Sequence, residues 1–376
     1  MAVEQQIKEY DSLLDLLEDL DREGITGFQR REAYTRFLDL QARKKGVPLH
    51  GVFELTPLCN LDCKMCYVHL TTEQLGKQSL LSVEQWKALM SQAVDAGMMD
   101  ATLTGGECLT YAGFDELYTY LHTRGVQIGV ITNGLLLTKE RISFFKQHPI
   151  SGIQVSLYGS NDETYERVTG SRVFSKVLEN IMSAKAAGLP VKVGVTPSLQ
   201  MGTDDERLLD MLCDMRIPFT LNSNLFAARE ETGRCMYDYD QSADDYIRLR
   251  KHYMKCRNMA IPQPCNDANT FRFPAVGIQC GAGNTSFTCD WRGRMFACAM
   301  LPDISENPRE TGFTQAWQII REKAQRYPNP VECNDCTFNN LCTKCVAAHR
   351  DGAQPGHANP RICLLAKKLI ESESSQ

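Results

Sequence analysis

Between residues 51 and 225, this chain of 376 residues alternates short apolar runs with longer stretches of helical periodicity. The helical stretches are 82–97, 114–124, 139–147, 174–187 and 204–214, and the apolar runs are 51–56, 100–104, 126–132, 152–157, 191–195 and 219–225. Repeated strand-helix units of this kind build a parallel sheet, either open or closed into a barrel. The pattern predicts an α/β fold with a partial (β/α)6 barrel of TIM type, two units short of the full barrel.

Different patterns flank this region. Residues 1–46 have the spacing of two amphipathic helices, which we expect to be packing elements, and the barrel is expected over 47–240. A helix at 243–256 and a Pro- and Asn-containing linker at 258–274 form the next segment, 241–274. Residues 275–366 are rich in Cys, Gly and Asn, so we expect a small domain without a large apolar core, ordered by bound metal, before a tail at 367–376.

Composition and charge exclude several classes of partner. The formal net charge is -5, which gives no electrostatic case for a nucleic acid. No apolar run approaches the length of a membrane span, and the acidic N-terminus does not have the pattern of a signal peptide. The sequence therefore predicts a cytoplasmic protein with no membrane partner.

Sixteen cysteines are the unusual feature of the composition. In a cytoplasmic chain, clustered cysteines indicate metal more often than disulfides. Three of them, Cys59, Cys63 and Cys66, directly follow the first predicted strand, where barrel enzymes place their chemistry. Three thiolates suit an iron-sulfur cubane with one iron left open to another ligand. The alternatives are unrelated core thiols or a zinc site with His69 as the fourth ligand.

The spacing of Cys59, Cys63 and Cys66 resembles the signature of the radical S-adenosylmethionine (SAM) superfamily. The resemblance implies that SAM chelates the open iron of a [4Fe-4S] cluster, and that reductive cleavage of SAM releases a 5′-deoxyadenosyl radical that abstracts hydrogen from substrate. Five further positions resemble the residues with which the family contacts SAM, and they are Gly105, Gly106, Glu107, Asn133 and Ser156. The alternative is that these residues form ordinary turns and helix caps.

Two positions depart from the family pattern. Met65 stands where relatives usually have an aromatic residue, with Tyr67 close by, and we expect these two side chains to contact SAM. Cys108 replaces a proline that commonly follows the Gly-Gly-Glu motif. It is either a small buried side chain or a thiol near the radical.

The cysteines near the C-terminus resemble the SPASM domain of peptide-modifying radical SAM enzymes, which binds two auxiliary clusters. The resemblance implies an inner cluster held by Cys280, Cys298 and Cys345, and an outer cluster held by Cys333, Cys336, Cys342 and Cys363. The chain would then carry three [4Fe-4S] clusters in addition to SAM. A ribbon with two zinc ions is the alternative for this pattern of Cys-x-x-Cys pairs.

A fourth ligand for the inner cluster is expected from a hairpin. If Arg292 and Gly293 form the turn, Cys289 pairs with Phe296, which places Cys289 and Cys298 on one face within reach of a shared cluster. Cys289 is therefore the predicted ligand. Cys265 is its competitor, and burial of Cys289 without a metal role is the other interpretation.

The resemblance implies an enzyme that acts on a peptide, and we expect a thioether or carbon-carbon crosslink in a ribosomally synthesised precursor peptide. Formylglycine formation in a sulfatase and peptide epimerisation are the enzymatic alternatives, and an iron-sulfur electron carrier is the non-enzymatic one. Expected partners are the precursor peptide and an electron donor such as flavodoxin or ferredoxin. The leader of the precursor is expected to bind either another surface of this chain or a separate leader-binding protein.

Overall fold

The structure of the protein is a computed structural model, in which residues 12–76, 78–222, 224–229, 232–259, 274–334, 336–338, 342, 345–350, 354 and 356–374 are described. The strands are β1 His50–Glu54, β2 Asp100–Thr104, β3 Gln127–Thr132, β4 Gly152–Leu157, β5 Val191–Val195, β6 Phe219–Leu221, β7 Ser286–Cys289, β8 Met295–Phe296 and β9 Ser305–Glu306. The longer helices are α1 Leu13–Arg22, α2 Gly27–Lys45, α4 Val83–Asp95, α5 Phe114–His122, α6 Lys139–Gln147, α7 Asp162–Thr169, α8 Phe174–Ala186, α9 Asp204–Asp214, α10 Ala243–Cys256, α12 Phe313–Gln325 and α14 Pro360–Ser374. Three short helices complete the set, and they are α3 Thr72–Leu75, α11 Pro308–Thr311 and α13 Val346–Arg350.

The described strands form one sheet in the order β6-β5-β4-β3-β2-β1-β7-β8-β9. Strands β1 to β6 are parallel to their neighbours, with helices in the connections, so the predicted α/β fold with a six-unit partial barrel is confirmed. Their carboxyl ends therefore lie along the same edge of the sheet. The N-terminal helices and α10 are also present as predicted, while 260–273 of the predicted linker lie outside the described residues.

Helix α7 was not predicted. It has only 8 residues, begins after the N-cap Asn161, whose side chain accepts from Thr164 N, and ends at the left-handed Gly170. The caps, more than a long apolar stripe, fix its ends. No helix among the described segments is both long enough and apolar enough to span a membrane.

Residues 275–366 contribute to a large apolar core, so the prediction that this C-terminal region lacks one is wrong. Strand β7 joins the barrel sheet directly, in parallel with β1. Phe287 packs edge-to-face on Phe53 of β1 with ring centroids 5.8 Å apart, and Phe313 of α12 packs on Phe287 at 5.2 Å. These buried rings join the barrel core, so packing as well as any metal orders this part of the chain.

The register of the predicted hairpin is wrong by one residue. Cys289 pairs with Met295, because the loop has three residues, not two. The Asp290 carboxylate accepts from the backbone N–H of Arg292 and of Arg294, both at 3.0 Å, and Gly293 at the end of the loop has φ +82°. A three-residue hairpin with a left-handed glycine is a favoured alternative to a two-residue turn.

The new register changes the argument for Cys289. The side chains of a strand alternate between faces, so Cys289 shares a face with Met295, while position 298 continues the face of Phe296. Cys289 is also fully buried in the main core. The geometric reason for Cys289 as a cluster ligand is thereby removed, and Cys265 lies outside the described residues.

Candidate active site

The loop that follows β1 brings its three cysteines together at the carboxyl edge of the sheet. Backbone N–H groups approach the sulfur atoms, since Leu61 N lies 3.4 Å from the Cys59 sulfur and His69 N lies 3.3 Å from the Cys66 sulfur. The loop also turns on itself, with Cys66 N donating to the Cys63 carbonyl at 3.1 Å. Amide donors aimed at sulfur stabilise thiolates, which are the form that binds metal.

Without a cation, the thiols of this loop are held in the neutral form. Burial raises the pKa of Cys59 to about 11, and the charges of Glu107 and Cys66 add to this rise. Burial also raises the pKa of Cys63, and Cys66 and Cys59 raise it further. Three thiolates this close together need positive charge between them, which an iron-sulfur cluster supplies. The donor set therefore fits the predicted cluster.

The glycine pair after β2 allows two backbone segments to touch. Gly106 N donates to Thr56 O at 2.7 Å, and Glu107 N donates to Leu58 O at 2.9 Å. A Cβ atom on Gly106 would lie 2.3 Å from the Leu58 carbonyl oxygen, and one on Gly105, which has φ +141°, would lie 2.4 Å from the Thr56 oxygen. Both glycines are thus needed to seat the cysteine loop against β2.

The substitution Gly106→Ala should displace the cysteine loop, because its Cβ meets backbone oxygen that cannot rotate away. We expect about a 100-fold loss of SAM cleavage, the effect of misplacing a reacting group by about 1 Å. The measurement is formation of 5′-deoxyadenosine by the reconstituted enzyme. Gly152→Ala is the matched control, since nothing lies within 4 Å of that Cβ position. Equal activity of the two variants would contradict the proposed role of Gly106.

Glu107 connects the second and third strands below the cysteine loop. Its fully buried carboxylate accepts from Asn133 N at 2.7 Å and from the Thr132 hydroxyl at 2.9 Å. Burial raises the pKa of Glu107, and these donors oppose the rise. The Asn133 side chain in turn donates to Asn60 at 2.7 Å and lies 3.6 Å from the Cys59 sulfur. The three predicted motifs therefore form one connected site.

The other predicted contacts of SAM lie at or near the same edge. Ser156 lies near the end of β4, and Tyr158, two residues further on, interacts electrostatically with both Ser156 and Cys63. Met65 is buried in the main core, and the Tyr67 hydroxyl donates to Glu54 at 3.1 Å. Tyr158 was missed in the sequence, where nothing marks it apart from its place after a strand.

Cys108 lies inside the core beneath this edge. It is fully buried, its thiol donates to the Ile131 carbonyl at 3.4 Å, and burial raises its pKa well above the usual range. These are the properties of a small structural side chain.

Glu54 and Arg229 form a buried ion pair that the sequence analysis missed. An Arg229 nitrogen lies 2.5 Å from a Glu54 oxygen, and the two side chains are 8% and 0% exposed. The guanidinium also lies over the Trp291 ring, 4.9 Å from its centroid. Burial raises the pKa of Glu54 and Arg229 opposes that rise. The only signal in the sequence was a charged residue inside the apolar run 51–56.

A second arginine, Arg234, holds the cysteine loop from outside. It donates to the Cys63 carbonyl and pairs with Asp62, and it lies 3.4 Å from Nδ1 of His69. His69 also faces Asp62 at 3.4 Å, and burial lowers its pKa. The histidine of the alternative zinc site is thus already engaged with Arg234 and Asp62.

In the C-terminal region the predicted inner-cluster cysteines are neighbours. Burial raises the pKa of Cys298 to about 11, and the charges of Cys345 and Cys280 raise it further. The backbone at Cys280 is fixed by α2, since Arg43 donates to the Cys280 carbonyl at 2.8 Å. The N-terminal helices therefore do more than cover the barrel, because one of them positions a predicted ligand.

Three of the four predicted outer-cluster cysteines are likewise neighbours. Burial raises the pKa of Cys333 to about 11, with further contributions from Cys336 and Cys363. Cys342 packs against the small apolar cluster of α10 and α14, which includes Tyr246 and Ile362.

Comparison with known proteins agrees with this geometry. Residues 53–233 match the family model described as the radical SAM superfamily. The chain is 29% identical over 375 residues to the antilisterial bacteriocin subtilosin biosynthesis protein AlbA of Bacillus subtilis. The alignment covers 95% of this chain and 80% of AlbA.

Two solved structures share the fold. Streptococcus suis SuiB bound to the precursor peptide SuiA has a TM-score of 0.66 at 16% identity, covering 92% of this chain and 86% of SuiB. Native anSMEcpe with bound AdoMet and Cp18Cys peptide has a TM-score of 0.68 at 14% identity, covering 87% of this chain and 97% of anSMEcpe. Residues 53–233 of this chain therefore form a radical SAM domain, and the chain is an enzyme.

Proposed function

We propose that this enzyme forms a thioether or carbon-carbon crosslink in a ribosomally synthesised precursor peptide. The observation that carries the proposal is the similarity to AlbA over 95% of this chain, because AlbA acts in the biosynthesis of a bacteriocin. Support also comes from the fold, since both structural neighbours were solved with a peptide bound.

The family implies SAM and one [4Fe-4S] cluster, and we assign Cys59, Cys63 and Cys66 as the cluster's protein ligands. When bound, this cluster supplies the electron that cleaves SAM. The proposal assigns contacts with SAM to Glu107, Asn133 and the backbone at Gly105 and Gly106. Ser156, Met65 and Tyr67 are the further proposed contacts.

The proposal includes two auxiliary [4Fe-4S] clusters in residues 275–366. The neighbouring thiols of Cys280, Cys298 and Cys345 favour the inner cluster, and those of Cys333, Cys336 and Cys363 favour the outer one, with Cys342 as its fourth ligand. A crosslink removes two hydrogens from the peptide, so one electron and one proton must leave in addition to the abstracted hydrogen atom, and the proton passes to solvent. An auxiliary cluster is the electron acceptor that the proposal names.

Two partners belong to the proposal. Reductive cleavage of SAM needs one electron for each cleavage, and a flavodoxin or ferredoxin is the class of protein that supplies it. The N-terminal segment described here consists of α1 and α2, and α2 is engaged with the Cys280 loop. A separate leader-binding protein is the second partner that we propose.

Sulfatase maturation is retained as a second candidate because the anSMEcpe complex has the same fold as this chain. Epimerisation is less well supported, since it needs a thiol hydrogen donor at the barrel centre. Three cysteines outside the proposed clusters are candidates for this donor. Cys108 is enclosed in the core, Cys213 lies on α9 and contacts Cys256 of α10, and Cys235 is exposed.

The test is anaerobic incubation of the reconstituted enzyme with SAM, a reductant and candidate precursor peptides, followed by mass spectrometry. We expect 5′-deoxyadenosine and loss of two hydrogens from a peptide, with fragmentation blocked between the linked residues. An aldehyde-reactive product would instead support formylglycine formation, and uptake of one solvent deuterium would support epimerisation. Methyl addition, or SAM cleavage that no peptide stimulates, would overturn the proposal.

A further inference from the structure

Four potential metal ligands that belong to none of the cysteine groups above meet where α9 packs on α10. Asp210 and Cys213 are three residues apart on α9, and His252 and Cys256 are four residues apart on α10. These spacings place each pair on a single helix face. The two faces meet outside the barrel sheet, on residues that the radical SAM chemistry does not use.

The donor atoms are close enough to share one ion. Nε2 of His252 lies 2.7 Å from a carboxylate oxygen of Asp210, and the Cys256 sulfur lies 3.8 Å from the same oxygen. The ligand atoms of Asp210, His252 and Cys256 all lie within 4.8 Å of one another. The Cys213 thiol contacts this group through Cys256, whose carbonyl oxygen is 3.8 Å from the Cys213 sulfur.

The helices that carry these ligands are fixed at both ends, so the cluster is held in place. At one end, Tyr253 packs edge-to-face on Phe219 with ring centroids 5.6 Å apart, and Arg257 donates to the Phe219 carbonyl at 3.3 Å. At the other end, the Gln241 side chain donates to the buried Asp205 carboxylate at 2.7 Å. Rigid support of this kind is what a metal site needs from its scaffold.

We propose that Asp210, His252 and Cys256 bind a zinc ion, with Cys213 as the fourth ligand. A mixed set of thiolate, imidazole and carboxylate suits Zn²⁺, which takes four such ligands in a tetrahedron. Entry of the ion separates the His252 and Asp210 donor atoms from 2.7 Å to about 3.3 Å, the spacing that metal-ligand bonds of about 2.0–2.1 Å produce in a tetrahedron. A rotation of either side chain is enough for this change.

The consequence is structural. Helix α10 also packs against α14, the helix that contains Cys363, and an ion pair between Lys368 and Asp244 joins the two helices. A zinc ion between α9 and α10 would therefore hold α10 in place and, through it, α14 with its cysteine. The zinc ion would stabilise this region without taking part in the radical reaction.

The experiment uses the fully reconstituted enzyme, prepared anaerobically, freed of loose metal and equilibrated with one equivalent of Zn²⁺. Zinc and iron are counted per chain by mass spectrometry of the elements. We expect one zinc in the unmodified enzyme, less than a tenth of that in His252→Gln and Cys256→Ser, and the same iron content in all three. Cys235→Ser, which removes an exposed cysteine, is the matched control and should retain its zinc.

Zinc K-edge absorption distinguishes this site from zinc trapped in a cluster position. A shell of two sulfur and two lighter ligands is the expected result, and a shell of four sulfurs would overturn the proposal. It would also be overturned by zinc that stays in both variants, by zinc lost together with iron, or by an unmodified enzyme that binds none. Because SAM cleavage is not the readout, failure here is separate from failure of the proposed crosslinking function.

Discussion

Alanine at any one of Cys59, Cys63 and Cys66 should abolish cleavage of SAM. The remaining two sulfurs cannot hold a cubane that has only three protein ligands, and the buried thiols lose the cation that keeps them ionised. We expect formation of 5′-deoxyadenosine to fall by a factor of about 1,000 or more, since losing a catalytic metal removes several kcal/mol of barrier reduction. The measurement is chromatography of nucleoside products after anaerobic incubation with reductant.

The control for this prediction is Cys235→Ala, because Cys235 is exposed and belongs to none of the three groups. Its activity should match that of the unmodified enzyme. Iron counts add a second criterion, since each of the three variants should lose the iron of one cluster while the proposed auxiliary clusters keep theirs. Retention of SAM cleavage by a variant of Cys59, Cys63 or Cys66 would refute the assignment of these cysteines as ligands of the cluster.

The site motifs that were found in the sequence are local. The cysteine loop and the Gly-Gly-Glu turn each lie within a few residues after a strand, and parallel strands bring such positions to one edge by geometry alone. The contact between Asn133 and Asn60 therefore follows from the order of the strands. Its distance does not, because it depends on how the glycines seat the loop.

The features that could not be predicted from the sequence depend on side-chain contacts, most of them between residues far apart in the chain. Arg229 meets Glu54 across a separation of 175 positions, and no spacing rule connects them. The predicted register of the β7–β8 hairpin was wrong because hydrogen bonds to the Asp290 side chain determine the length of the hairpin loop. The apolar core of the C-terminal region was missed because Phe287 and Phe313 lie on short separate elements that become one core only against β1.

The Glu54–Arg229 pair ties the barrel to the β7–β8 hairpin, so its loss should be felt in stability. Arg229→Met leaves the fully buried Glu54 without its guanidinium. Breaking a buried pair in this way costs about 3–5 kcal/mol in free energy of unfolding, far more than the loss of an exposed pair. Arg172→Met, which removes an exposed arginine that pairs with Glu166 and Glu163, is the matched control.

The penalty of Arg229→Met should also depend on pH. Burial already raises the pKa of Glu54 in the folded protein, and removing Arg229 removes the main interaction that opposes the rise. A carboxyl whose pKa is higher in the folded than in the unfolded protein destabilises the fold as pH rises above the unfolded pKa. The free energy of unfolding of the variant should therefore be lower at pH 8 than at pH 5. Urea unfolding under anaerobic conditions measures both effects. Glu54→Gln combined with Arg229→Met should remove the pH dependence, and a pH dependence that persists in the double variant would assign it to another group.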